Sequence, residues 1–384
     1  MDRLRKQDMS LEYRAVNGLQ RTAWTIDKGV LDVMRKAWDS NQEWAGLPPR
    51  YDLDLPEYPF NKDPQDMDEA ELQKYREWAK KRNTIYTFNG KSMSRRLQVE
   101  RTIQLAEQYA NYPEFYFVWQ LDFRSRKYPV ESFMSPQVAD WGKALLLFNN
   151  GFPINNFDDA YWLAIHGANL FGNDKVSFDE RVQWAWENED NIVKTAENPL
   201  DYTWWQEADK AWQFLGWCFE WYGLLREGWG FYTHLPCAAD GSCNGLQHLS
   251  AILRDEIGGK ATNLIPSDKP ADIYADVADK AVALIQKDAQ EGNELAQTCL
   301  TFGIDRSITK RPVMIVPYSG TQHACREYIQ EAITDRIEKK GVDNPFGDDL
   351  FQAGLYLAGH VWQGINETIA SARKVMDYVK LVGK

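Results

Sequence analysis

The stretch Asp240-Gly-Ser-Cys-Asn-Gly-Leu-Gln-His248 combines residue types suited to metal chemistry. Upstream, Trp229-Gly-Phe-Tyr-Thr-His-Leu-Pro-Cys-Ala238 reads as an aromatic-rich strand. Downstream, Leu246, Leu249, Ile252 and Leu253 recur at helical spacing, with Ser242 as the expected N-cap and Gly258-Gly259 as the expected stop. Asp240 is thus expected at a strand end, in a tight turn into a helix. A carboxylate there, beside small Gly241, can hold a hard cation and leave room for a ligand. Magnesium suits such a place, because it takes few protein oxygens and keeps positions for phosphate. The plainer alternative is an aspartate that only caps the helix. Cys243 reads as small packing, with nothing nearby to make it a nucleophile.

A second stretch offers complementary chemistry. In Asp305-Arg-Ser-Ile-Thr-Lys-Arg-Pro-Val-Met-Ile-Val-Pro-Tyr318, the residues Arg306, Lys310, Met314 and Tyr318 are each four apart. On a helix they form one slowly drifting stripe. It presents two cations, an apolar contact and an aromatic ring in that order, so a triphosphate and then a base can lie along it. The plainer alternative is a solvated basic helix end.

Both stretches resemble motifs of the single-subunit, phage and mitochondrial type of DNA-dependent RNA polymerase. The first, running on through Ala251 to Leu264, is similar to that family's first catalytic motif; the second resembles its nucleotide-binding fingers helix. Asp122-Phe-Arg124-Ser-Arg126-Lys-Tyr128 resembles a third motif, whose arginines contact hybrid and template, with Ser125 where the family has Gly. Further matches lie at Tyr161–Asn169, Pro199–Trp205, Tyr356, Trp362 and 375–380. The resemblance implies that Asp240, with the Gly241 carbonyl, binds two Mg2+ ions. It implies that Arg306, Lys310 and Lys175 hold the incoming triphosphate, that Met314 and Tyr274 lie by the nucleotide, and that Tyr318 gates the insertion site and favours ribose. It also implies an α+β, right-hand-like fold, mostly helical with a small antiparallel palm sheet: a helical remnant over 1–35, thumb 36–111, palm 112–264 and partial fingers 265–384.

Two-metal transfer needs more than one carboxylate to hold its ions. The family takes the second from a His-Asp-Ser motif, and none of the five histidines here (166, 234, 248, 323, 360) precedes an Asp. Asp255 lies about four helical turns along from Asp240, too far to share an ion, and Asp122 has a structural place in its own motif. The expectation is a second polymerase chain carrying His-Asp-Ser, as in a naturally split, two-chain podovirus enzyme, active only with that partner. DNA template, RNA product and NTPs are the other expected ligands. The family's promoter-binding domain is not expected in this chain, so a separate promoter-recognition or single-strand-binding factor is. The expected setting is the cytoplasm of a bacterial host. Two rivals are a non-catalytic nucleic-acid clamp subunit and an acidic, Trp-rich carbohydrate hydrolase; the latter needs two carboxylates facing one bond and leaves the stripe unexplained.

A chain of 384 residues can bury a large core in two or three domains. A net charge of −12 argues against a plain nucleic-acid coat but not against an acidic shell around a basic channel. No apolar run of membrane length and no secretory core occurs, and five scattered cysteines without CxxC fit reduced thiols and no zinc. Residues 10–37 read as one helix, 70–82 and 97–111 as two more, 114–123 as a strand on strict alternation, 206–225 as a core helix, 270–289 and 350–381 as further helices. Asp66 or Asp68 is expected to cap the second helix. Lys80, Lys81, Arg82, Lys91, Arg95 and Arg96 form the most basic stretch. Pro312 is tolerable if the stripe helix starts late, and Pro317 is expected to kink or break it just before Tyr318, with the tyrosine still aimed at the site.

Overall fold

The structure is a computed structural model that describes residues 8–347 and 349–383. It divides into two compact units, one of residues up to 174 with 178–237, the other of 175–177 with 238–384. The division falls inside the stretch expected to be palm.

The first unit is built around the helix Ala211–Glu227, which buries Trp212, Phe214, Leu215, Trp217, Trp221 and Leu224. Phe214, Trp217 and Trp221 stack in series with ring centroids 5.3 Å apart. Each such pair adds about 0.5–1.5 kcal/mol beyond area burial. A Cβ on Gly167 would lie 2.1 Å from the Trp217 ring, so the helix Phe157–Phe171 reaches this stack only because residue 167 has no side chain. Three two-stranded antiparallel ladders border the core: Trp24–Ile26 with Leu146–Phe148, Trp119–Leu121 with Lys127–Pro129, and Phe152–Ile154 with Phe231–Thr233.

Several elements differ from their sequence expectation. Residues 10–37 are two helices, Ser10–Gln20 and Lys28–Asp39, separated by the strand Trp24–Ile26. The strand residues are aromatic or β-branched, and they find a ladder partner more than a hundred residues away. Asp27 then caps the second helix through Val30 N–H at 2.9 Å. Conversely, the two helices expected within 70–111 are one, Glu69–Tyr109, begun by a capping box between Asp68 and Glu71. The strand expected over 114–123 pairs at two places, Phe115 in an isolated antiparallel bridge to Trp24 and Trp119–Leu121 in a ladder; Phe115 and Phe117 are buried as the alternation requires, but Phe123 is exposed. The expected strand Trp229–Ala238 is laddered only at Phe231–Thr233.

The second unit is built of helices joined by loops, with no strand among its described residues. The helix Ile273–Gln290 packs Val277, Ala281 and Ile285 among Leu357, Val361 and Ile365 of Leu350–Thr368, with Ile308, Val313, Ile329 and Ile333 completing the core. The last expected helix, 350–381, is two, breaking at Ile369 before Ala370–Val382. No helix among the described residues is long and apolar enough to cross a membrane.

Candidate active site

Asp240 lies in an exposed, irregular segment between the strand Phe231–Thr233 and the helix Asn244–Leu253. Its Oδ1 accepts the Gly241 N–H at 2.9 Å, and it has no ion pair among the described residues. The helix cap is not Ser242 but Cys243, in left-handed backbone with φ 53° and with no side-chain cap bond. Ser242 instead accepts from Asn263 Nδ2 at 3.1 Å. The helix stops at Leu253, where Arg254 turns left-handed; Gly258 and Gly259 sit within the next short helix, Glu256–Ala261. Gln247 braces the turn from below. A Cβ on Gly241 would lie 2.7 Å from Gln247 Oε1, and Gln247 Nε2 is fixed by the Thr262 carbonyl at 2.8 Å. A side chain at 241 would displace the Gln247 amide from this position.

The stripe helix runs Arg306–Ile315, begun by Asp305, whose side chain accepts the Ser307 N–H. Pro312 lies inside its second turn rather than near its start, buried with Ile308, Thr309 and Val313. The lost backbone bond is thus set against apolar packing. At Pro317 the coil tightens into a 3-10 turn, Val316–Tyr318, and ends at Ser319 with φ 63°. Left-handed backbone favours glycine, so Ser319 is held in a conformation that a Cβ disfavours. The break places Tyr318 outward, 67% exposed, with Met314 at 44% and Lys310 also exposed. Lys310 has no ion pair among the described residues.

The two stretches meet. A Cβ on Gly245 would lie 2.7 Å from Pro317 Cβ and 3.9 Å from the Tyr318 hydroxyl. The first turn of the helix after Asp240 is therefore seated directly on the end of the stripe. Tyr274 lies beside Cys243, and burial pushes the phenol and the thiol up from their ordinary pKa. Tyr274 is buried. Arg306 lies over that ring, 5.2 Å from the centroid, and its Nε donates to Asp272 Oδ2 at 2.6 Å.

Asp240, Gly241, Tyr274, Arg306, Lys310, Met314 and Tyr318 thus share the second unit, and exposed Lys175 belongs to it too. Arg124 and Arg126 belong to the first. They stand in the hairpin between Trp119–Leu121 and Lys127–Pro129, where Asp122 Oδ1 accepts the N–H groups of Arg124 (2.8 Å) and Arg126 (2.9 Å). Asp122 also pairs the Arg124 guanidinium, whereas Arg126 has no ion pair among the described residues. Ser125 takes φ 63°, the backbone a glycine would take. His166 is a buried residue of the first unit, held neutral by burial with its pKa pushed down to about 4, and its Nδ1 meets Cys237 Sγ at 3.4 Å.

The donor set fits part of a magnesium site. Asp240 and the Gly241 carbonyl are exposed oxygens of the hard type that ion prefers. No group of three or more His, Cys, Asp or Glu able to enclose a metal occurs among the described residues. Sequence reasoning missed Asp272 and Gly245. The signal for Asp272 was an Asp at the start of the 270–289 helix, two residues before Tyr274; Gly245 left none, since the segment it touches lies over seventy residues away.

An exposed carboxylate turn is thus seated against the end of the stretch that carries Arg306, Lys310, Met314 and Tyr318. The family model for DNA-dependent RNA polymerase matches residues 156–384, and the chain belongs to that family. It is 36% identical to the DNA-directed RNA polymerase of Enterobacteria phage T3 and 35% identical to T7 RNA polymerase of Escherichia phage T7, in each case over 97% of this chain and 44% of the relative. It is 29% identical to the mitochondrial DNA-directed RNA polymerase 1 of Arabidopsis thaliana, over 98% of this chain and 38% of the relative. The chain therefore spans less than half the length of these relatives.

Proposed function

We propose that this chain provides one half of the active site of a DNA-dependent RNA polymerase, with the triphosphate-binding helix and the first metal-binding carboxylate. The observation that carries the reading is the seating of the Asp240 turn on the Pro317–Tyr318 end of the stripe. In the reaction, the RNA 3′-hydroxyl oxygen bonds to the α-phosphorus of an NTP, its proton is lost, and pyrophosphate leaves. Asp240 and the Gly241 carbonyl would hold magnesium, two ions in the full site, which when bound acidifies the 3′-hydroxyl and offsets triphosphate charge. Lys310 and Arg306, with Lys175, bind the β- and γ-phosphates and stabilise charge on the leaving group. Met314 supports the base, and Tyr318 occupies the mouth of the insertion site, where it favours ribose. Arg124 and Arg126 contact hybrid and template through phosphates, which positions without reading sequence.

The thumb, palm and partial-fingers assignment over 36–384 belongs to this proposal, as does a setting in the cytoplasm of a bacterial host. The second metal-binding carboxylate comes from outside these 384 residues; a separate chain carrying His-Asp-Ser would supply it in trans, and a promoter-recognition or single-strand-binding factor would bring specificity. The test is NTP-dependent extension of a primed hybrid by this chain with its complement. Lys310→Ala is expected to cost on the order of 3 kcal/mol of transition-state stabilisation while hybrid affinity holds. An unchanged kcat/KM would remove the stripe from the reaction.

A further inference from the structure

We infer that Asp272 is a positioning residue for Arg306, holding the guanidinium so that its outer edge is presented to phosphate. Asp272 caps the helix Ile273–Gln290, its Oδ1 accepting the N–H groups of Tyr274 at 3.1 Å and Ala275 at 3.4 Å. Its Oδ2 takes the Arg306 Nε at 2.6 Å. The Tyr274 ring, two residues on, supports the guanidinium from one face at 5.2 Å. Thr309 Oγ1 donates to the Tyr274 carbonyl at 2.6 Å and locks the two helices together beneath the pair.

The guanidinium is thus fixed along one edge and one face, and only its Nε is used. Neither Nη donates to a protein acceptor among the described residues, and the Arg306 side chain stays 41% exposed while that of Asp272 is 16% exposed. An arginine fork with both Nη groups free is the geometry for bidentate phosphate binding. A carboxylate beside a phosphate site would ordinarily repel the ligand. Here its charge is committed to two helix N-terminal N–H groups and to Nε, at the positive end of a helix dipole. Pre-fixing a long, rotamer-rich side chain also removes ordering cost at the moment of binding.

The inference rests on the reading of Arg306 as a triphosphate ligand, and the test separates the two. Asp272→Asn keeps the cap through its one amide oxygen, since Asn is as good an N-cap as Asp, but sets an Nδ2 donor where Oδ2 accepts the Arg306 Nε–H, so that the charged contact is lost. In the assembled, active polymerase, NTP dependence of primed extension is measured for wild type, D272N, R306A and the double variant. D272N is expected to raise the NTP KM about three- to tenfold, with kcat, hybrid affinity and melting temperature close to wild type. The double variant is expected to match R306A alone. If R306A raises KM but D272N does not, or if the two effects multiply in the double variant, the positioning role is overturned. If R306A itself leaves KM unchanged, the triphosphate reading falls and takes this inference with it.

Discussion

Gly245→Ala probes the joint on which the site depends. In the native backbone the new methyl would stand 2.7 Å from Pro317 Cβ and 2.9 Å from Pro317 Cγ. Carbon atoms pack at about 3.5–4.0 Å, so the helix Asn244–Leu253 and the Pro317 turn must separate by about 1 Å. Pro317 cannot yield by a rotamer change, because its ring is part of the backbone. Overpacking of this kind costs about 1–3 kcal/mol. Replacing a helical glycine by alanine returns up to about 1 kcal/mol. The net expectation is a loss of roughly 1–2 kcal/mol, read as a fall of a few degrees in melting temperature. The same separation moves the Tyr318 hydroxyl relative to the Asp240 turn. Ribo- against deoxynucleotide selectivity in primed extension should therefore relax in the direction of a Tyr318→Phe control. A variant that is more stable than wild type and equally selective would show that the two segments do not bear on one another.

Two further outcomes follow from the first unit. Ser125→Gly should stabilise the protein by about 0.5–1 kcal/mol in urea unfolding, because φ 63° strains a residue with a Cβ; a loss of stability would mean the serine side chain contributes a contact that outweighs the strain. Burial pushes the Asp27 carboxyl up from 3.8 to about 6, with Glu220 nearby adding to the shift. The folded state then holds that proton more tightly than the unfolded chain, so stability is lost as pH rises from about 4 through 6, by about 3 kcal/mol in all. His166, pushed down from 6.5 to about 4, acts oppositely: its contribution is present above about 6.5 and is lost as pH falls. Asp27→Asn retains the cap acceptor and removes only the first effect. It should be more stable than wild type at pH 7.5, with the difference vanishing near pH 4; a difference independent of pH would contradict the buried-carboxyl account.

What was legible in the sequence divides along physical lines. The Asp68 cap is a local pattern and is found where its spacing puts it; Asp240 lies seven residues beyond its strand, and Tyr318 stands past the end of the helix that carries Arg306, Lys310 and Met314. The break at Pro317 is also local, since a missing N–H and a fixed φ act within one turn. The strand Trp24–Ile26 was not legible, because its ladder partner at Leu146–Phe148 is distant in sequence and overrides the helical periodicity around it. Pro312 inside a helix is the same lesson in reverse, tolerated because its ring is buried against the unit's core. Asp272 with Arg306, and Gly245 with Pro317, are contacts made only once the helices pack. The candidate residues are therefore visible one by one in the sequence, while the contacts that hold them together are not.

The central claim is that Asp240 is a metal-binding carboxylate of a nucleotidyl-transfer site. Its most direct test is the rate of single-nucleotide addition to a primed RNA–DNA hybrid by the assembled polymerase bearing Asp240→Asn, with hybrid affinity measured alongside. The account predicts a rate reduced roughly a thousandfold or more at unchanged hybrid affinity. Addition at close to the wild-type rate would contradict it.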